Sequence, residues 1–457
     1  MRKSLRRRLV RMQKTHIGLD SHFTYKKLFG FVLSPILMMV FTSIYGVVDG
    51  LFVSNVVGKT AFAAINVIMP LTMILGAFGF MIGTGGTAIV SKTLGEGDKK
   101  RANNYFSFLV YATAVMGVIL SVTTIIILPY VAPLFGVDEE MAPYALSYGR
   151  IVIGFTPLFM IQSLFHSFFI TAEKPKLGFI VTVISGCTNM VLDALFVWAF
   201  KWGVEGAAVA TGISQLVGAI IPVFYFTSKR NDSLLKLGKG DFNGKVFLKT
   251  CTNGSSELVS NISGSLVSIV FNRQLLHIAG QNGVSAYGVM MYVNFIYVAI
   301  FIGYAIGTAP VIGFNYGAKN DDELKNVFKK SLVIMGAFGG IMSLFAFLLS
   351  EPISRVFVGY DEELCDMTAK AFKLFCFSFV FTGFGIFGSS MFTALGNGFV
   401  SAIISFLRTL VFQISCVMIL PEFLGINGVW LSMLFAEILA TLVTVIFWIA
   451  KRKKYNY

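Results

Sequence analysis

Apolar runs broken by short charged clusters recur along the whole chain. Arg101 to Asp138 and Arg273 to Lys319 hold no Asp, Glu, Lys or Arg between their ends. Each exceeds the roughly 20 residues that carry a helix across a bilayer. Reading the runs between charged breaks predicts twelve spans, at 28–57, 61–91, 104–131, 145–172, 177–200 and 206–228, then at 247–278, 283–316, 326–349, 366–394, 399–420 and 427–450. The predicted class is therefore an all-α polytopic membrane protein.

The two sets of six are copies. Gly203-Val204-Glu205-Gly206 returns as Gly425-Ile426-Asn427-Gly428, and Thr171-Ala172 as Thr393-Ala394, both at an offset of 222. Gly95 meets Gly317 and Phe106 meets Phe328 at the same offset, while Asp138-Glu139-Glu140 meets Asp361-Glu362-Glu363 at 223. An even number of spans per unit makes the repeat parallel, about an axis normal to the membrane, a layout common in secondary transporters. The expected organisation is a basic N-terminus at 1–27, a six-helix lobe at 28–228, a linker at 229–246, a second lobe at 247–450 and a basic tail at 451–457.

Composition agrees: 56 % of residues are hydrophobic and 13 % charged, values outside the soluble range. The formal charge of +14 marks one membrane face rather than a nucleic-acid surface. With the N-terminus inside, the inner segments hold 29 of the 37 Lys and Arg residues, and the acidic loops fall outside. The positive-inside rule then places both termini in the cytoplasm. The basic start lacks the short apolar core of a cleaved signal peptide, so the first span acts as the insertion signal. The cysteines at 187, 251, 365, 376 and 416 show no paired spacing and read as small buried hydrophobes.

Carboxylates inside spans carry the candidate chemistry. Asp49, Asp193, Glu257 and Glu437 lie well within apolar runs, where a charged residue costs roughly 2.5–3.5 kcal/mol on insertion scales. Counting at about 1.5 Å per residue puts Asp49 roughly 15 Å, Asp193 roughly 12 Å and Thr211 about 8 Å from the outer end. Asn189 stands one turn from Asp193 on the same helix face. Two carboxylates sharing an apolar cavity cannot both ionise cheaply, which makes the group a proton site. With the oxygens of Asn189 and Thr211 it could equally coordinate Na⁺, or serve only to bond the helices together. The second unit does not copy the group: Phe271 stands at the position of Asp49, and Gln215 pairs with Glu437.

Glu257 sits near the counterpart of Pro35 and either lines a substrate path or pairs with a basic residue. Further candidates for that path are Asn66, Gln162, Tyr292, Asn294 and Glu437. Arg150, Arg273 and Arg408 read as snorkelling or ion-paired side chains. Forty-six Phe and 19 Met residues suit a cavity that re-packs around dissimilar ligands. Gly83-Thr84-Gly85-Gly86 lacks the lysine and spacing of a phosphate loop, and the four histidines are not clustered with a partner base or nucleophile. Neither an enzyme nor a cofactor is expected, and uphill transport would draw on an ion gradient.

The runs SIYGVVDGLFVSN, LGEGDKKRAN, NMVLDALFV and GVEGAAVATGISQ resemble the multidrug and toxic compound extrusion (MATE) family, closest to its MepA-like bacterial branch. The resemblance covers essentially the whole chain. It implies a V-shaped pair of six-helix lobes in the bacterial cytoplasmic membrane, exporting organic cations in exchange for H⁺ or Na⁺. It implies a cation site at Asp49, Asn189, Asp193 and Thr211, and a bending point at Pro35. Glu257 lies shallower than the acid some relatives carry in the seventh helix. A lipid-linked-saccharide flippase of the same superfamily is the alternative, and would want a basic cavity. A monomer in contact with membrane lipids is expected, with no nucleic-acid partner.

Overall fold

In hydrocarbon no water satisfies backbone N–H and C=O groups, so an apolar chain of this kind must bond them within helices or closed barrels. The computed structural model, which describes residues 17–56, 59–135 and 137–457, takes the helical solution. The first half runs α1 (Tyr25–Val56), α2 (Lys59–Gly95), α3 (Lys99–Val131), α4 (Ala142–Gly154), α5 (Thr156–Thr171), α6 (Pro175–Asp193) and α7 (Gly203–Thr227). The second runs α8 (Gly244–Gly317), α9 (Asp321–Leu348), α10 (Ser350–Val358), α11 (Glu362–Phe375), α12 (Phe379–Ala394), α13 (Gly398–Phe406), α14 (Phe412–Leu424) and α15 (Ile426–Tyr455).

Among the described residues ten helical stretches are each long and apolar enough to cross a membrane, and α4 with α5, bent by 51°, make an eleventh. At 74 residues α8 would be far too long for one pass. It turns back at Gly280, whose φ of 63° breaks the helix. That yields the twelve passes of two six-helix halves. Residues 1–16 of the expected basic N-terminus lie outside the described residues, and α8 starts three residues before the expected 247.

The repeat is visible in small backbone devices. Asp98 caps α3 by accepting from the Arg101 amide, and Asn320, 222 residues on, caps α9 through the Glu323 amide. Asp138 accepts from the Met141 amide, and Asp361 from the Leu364 amide. Positive φ recurs at Gly97 and Lys319, and again at Gly203 and Gly425.

The halves meet where α8 packs along α1 and α2. Backbones touch there: a methyl group on Gly85 would overlap the Thr250 carbonyl, and one on Gly254 the Met81 carbonyl. Gly303 likewise presses on the carbonyl of Pro35 and on Ile36. The contact between Gly85 and α8 has its repeat mate in Gly307 against Val32 and Pro35. Small residues let membrane helices approach this closely, and dispersion then holds them. Gly254→Val should therefore lower stability by about 1–3 kcal/mol. The obstructing atoms are backbone, which cannot rotate away. A fall in the thermal midpoint of the purified protein checks this, and an unchanged midpoint would sink it.

At the lysine-rich end of the bundle, residues 17–24 run across both halves. The Leu19 amide donates to Glu173 at 2.6 Å, and Asn315 of α8 donates to the Leu19 carbonyl at 3.4 Å. Glu323 of α9 accepts from the Phe23 amide at 2.9 Å and pairs with His22 at 2.6 Å. Leu19 and Phe23 are fully buried beneath. The linker lies on α3, where Asn104 donates to Asp241 at 2.6 Å and Tyr111 to the Gly238 carbonyl at 2.8 Å. Lys174 bonds Asp232 at 2.8 Å and holds its carboxyl below the usual carboxylate range.

Candidate functional site

Helix α1 lies against α6, and Gly186 sets the spacing. A methyl group there would come within 2.6 Å of the Phe41 ring and 3.0 Å of the Tyr45 ring. One turn after Tyr45 comes Asp49, while Asn189 and Asp193 follow Gly186 along α6. The Asp49 carboxyl thereby faces the Asp193 carboxyl and the Asn189 amide. Asn189 is 1 % exposed and Asp193 is fully buried.

Among the described residues, several polar atoms of this cluster have no hydrogen-bond partner of good geometry. Asp49 Oδ1, both Asp193 carboxylate oxygens and both polar atoms of the Asn189 amide are buried without a hydrogen-bond partner. Buried polar atoms are nearly always paired, so five without a partner in one place single out this cluster among the buried groups. Directly after Asp193 the helix widens into a π turn over Ala194–Ala199, a distortion frequent at functional sites.

Two tyrosines join the acids. Tyr45 and Tyr148 both stand close enough to feel the charge of Asp49, and Tyr148 that of Asp193 too. Tyr45 was passed over in the sequence, although its place one turn before Asp49 was a signal for it. Tyr148, from α4, carried no sequence signal. Thr211 is half-buried on α7, and its carbonyl accepts from Ser214.

Pro35 is buried inside α1, fourteen residues before Asp49, at the contact with Gly303 and Gly307. The structure thus puts the expected bending point on the seam between halves rather than in the carboxylate cluster. Its repeat counterpart Glu257 also faces the seam, beside Thr84, Thr87 and Ser167 of the first half. Of the two roles foreseen for Glu257, the structure shows no ion pair to it among the described residues. On its other side Glu257 lines a cavity of about 250 Å³ inside the second half.

Asn294 and Glu437 line that same cavity. Glu437, 2 % exposed, receives Arg408 bidentately, Nε at 2.9 Å and a terminal guanidinium nitrogen at 2.8 Å. The other path candidates go elsewhere. Gln162 is committed to packing in the first half, donating to Ser185 at 3.2 Å and lying against Gly218. Tyr292, 46 % exposed, stacks on Phe357 of α10. Asn66 is exposed on α2.

A single family model, MatE, matches residues 35–195 and again residues 258–419, one match in each half. The chain belongs to the MatE family. Among curated proteins it is similar to the multidrug export protein MepA of Staphylococcus aureus (strain MSSA476). That relative is 22 % identical over 422 residues, or 92 % of this chain and 93 % of MepA. Among solved structures it is similar to an outward-facing multidrug resistance MATE family transporter of the MOP superfamily. There the TM-score is 0.89 at 22 % identity, over 95 % of this chain and 97 % of the other. A crystal structure of MATE in complex with MaL6 gives the same TM-score over 95 % and 98 %. This is a multi-pass membrane protein of a multidrug transporter family whose members are transporters rather than enzymes.

Proposed function

We propose that the chain exports amphipathic, mostly cationic organic molecules across the bacterial cytoplasmic membrane in exchange for H⁺ or Na⁺. The observation that carries this reading is the Asp49–Asn189–Asp193 cluster, whose buried oxygens the protein itself leaves unpaired. Two facing carboxylates take up one cation far more readily than none, since bringing two like charges together out of water is costly. Either a proton or Na⁺ meets that need, the latter through hard oxygen ligands. Thr211 sits one helix away as a further oxygen donor for Na⁺.

Exchange follows if cation occupancy and substrate binding favour different arrangements of the halves. The cluster lies at the α1–α6 contact, and α1 also carries Pro35 at the seam. Pro35 removes one backbone hydrogen bond from α1, so α1 is the element able to relay occupancy to the seam. Glu257 and Asn294 would line the substrate path. With the lysine-rich end in the cytoplasm by the positive-inside rule, both termini lie inside. The whole cluster comes from one chain, so a monomer suffices for ion binding.

The second-half cavity does not favour a flippase for a lipid-linked saccharide as the alternative. Such a flippase would need uncompensated positive charge to hold phosphate, and in the second-half cavity Arg408 is neutralised by Glu437. Efflux of a cationic dye from proteoliposomes, with pH and Na⁺ gradients imposed separately, tests the proposal. Efflux should rise with one of the gradients and stay at background without either. Equal efflux under all conditions would overturn it.

A further inference from the structure

At the lysine-rich end a second cavity opens between the halves, with a volume of about 540 Å³. The first half contributes Lys92 of α2 and Arg101 of α3. The second contributes Lys245 and Lys249 of α8 and Lys454 of α15. Glu96 is the one carboxylate among the lining residues, bonding Arg101 at 2.6 Å and lying 3.8 Å from Lys92. Arg101 also lies 3.6 Å from Asp98, so the uncompensated positive charge of the concavity comes mainly from its lysines. Among the described residues Lys245, Lys249 and Lys454 form no ion pair, Glu96 being engaged by Arg101 and Lys92.

Independent of charge, Asn253 lines the same cavity and is 2 % exposed. Its Oδ1 accepts from the Gly398 amide at 3.2 Å, yet its Nδ2 is buried with no partner. A buried donor left open beside a cationic cavity awaits an acceptor, since leaving it unmade costs its full desolvation. The start of α8 opens here as well, with its cap Asn243 among the lining residues, and a helix start favours anions.

We propose that this cavity binds a phosphate-bearing anion, and that the anion fastens the two halves together at this end. Phosphate offers several acceptor oxygens, enough to engage lysines from both halves and the Asn253 amide at once. Charge-assisted bonds of that kind are about twice as strong as neutral ones. Because the lining comes from both halves, the anion would bind the assembled seam better than parted halves and so stabilise it. This differs from the Asp49 cluster in place, charge and ligand. It holds whichever ion couples to export.

The phosphate can come from an anionic phospholipid headgroup, abundant at a cytoplasmic leaflet, or from a soluble anion. Two arms separate these. The purified full chain in neutral detergent is titrated with inorganic pyrophosphate by calorimetry. In parallel, its thermal midpoint is followed in phosphatidylcholine nanodiscs carrying increasing phosphatidylglycerol. Binding or a rise in midpoint in the first arm identifies a soluble anion, and in the second a headgroup. Either response should weaken with added salt. Lys245→Gln with Lys249→Gln should weaken it about tenfold, two charge-assisted contacts being removed. Lys229→Gln with Lys325→Gln, an equal charge change away from the cavity, should alter it by less than about twofold. Lys454→Gln gives a second route should the double variant not fold, and should weaken the response on its own. No response in either arm, or equal losses in the cavity and control variants, would overturn the proposal.

Discussion

Asp49→Asn and Asp193→Asn should each abolish gradient-driven efflux while leaving the fold intact. Asn copies the shape of Asp and removes its charge. If the pair only bonded α1 to α6, weakening it would cost stability and transport together. The structure argues for separation of the two. Asp49 Oδ1 and both oxygens of Asp193 already lack partners within the protein, so few stabilising bonds are lost. One source of like-charge repulsion disappears besides. The thermal midpoint should therefore hold or rise, as when a strained functional group is removed. Ion–substrate coupling, typically worth 5- to 150-fold, should vanish. Dye efflux at matched expression gives the first quantity and thermal unfolding the second. Coupled efflux retained in either variant would refute the role assigned to the pair. A collapse in stability alongside lost efflux would make the pair a structural one.

What the sequence made legible follows from physics that acts locally. Span length and charge placement answer to the bilayer, so the helices fall within a few residues of their expected ends. The repeat survives because capping and positive-φ turns depend on a few neighbouring residues, as Asp98 and Asn320 show. Depth counting brought Asp49, Asn189 and Asp193 to one level because α1 and α6 are nearly regular until Asp193. It could not supply Tyr148, which comes from α4, a helix without an intramembrane acid to draw attention to it. Nor could it exclude Gln162, since facing Ser185 or facing a cavity depends on helix rotation, to which depth is blind. Residues 17–24 fall within the basic N-terminus expected at 1–27. Their bonds go to side chains some 150 to 300 positions away, which no local pattern encodes.

The second half shows what took the place of the acid pair, and yields the other large effect. At the position of Asp49, Phe271 stacks on Tyr287 with centroids 5.1 Å apart, an apolar solution. This half carries instead, beside Glu257, the buried ion pair of Arg408 and Glu437. Arg408 lies on a π turn over Leu407–Val411, and Gly385 leaves room for its side chain, a methyl group there coming within 2.8 Å of Arg408 Cδ. Glu437 is 2 % exposed, so removing the guanidinium would strand a carboxylate out of water. Arg408→Met should then cost roughly 3–5 kcal/mol, the usual result of breaking a buried pair from one side. Replacing both, Arg408→Met with Glu437→Met, should restore most of that loss, because no charge remains to desolvate. Thermal or denaturant unfolding of the four proteins closes a double-mutant cycle. Strong coupling between the sites is the expected result, and additive losses would contradict the pairing. Efflux by the doubly substituted protein then decides the function of the pair. If it runs normally, Arg408 and Glu437 hold the cavity wall in shape and take no part in ion handling.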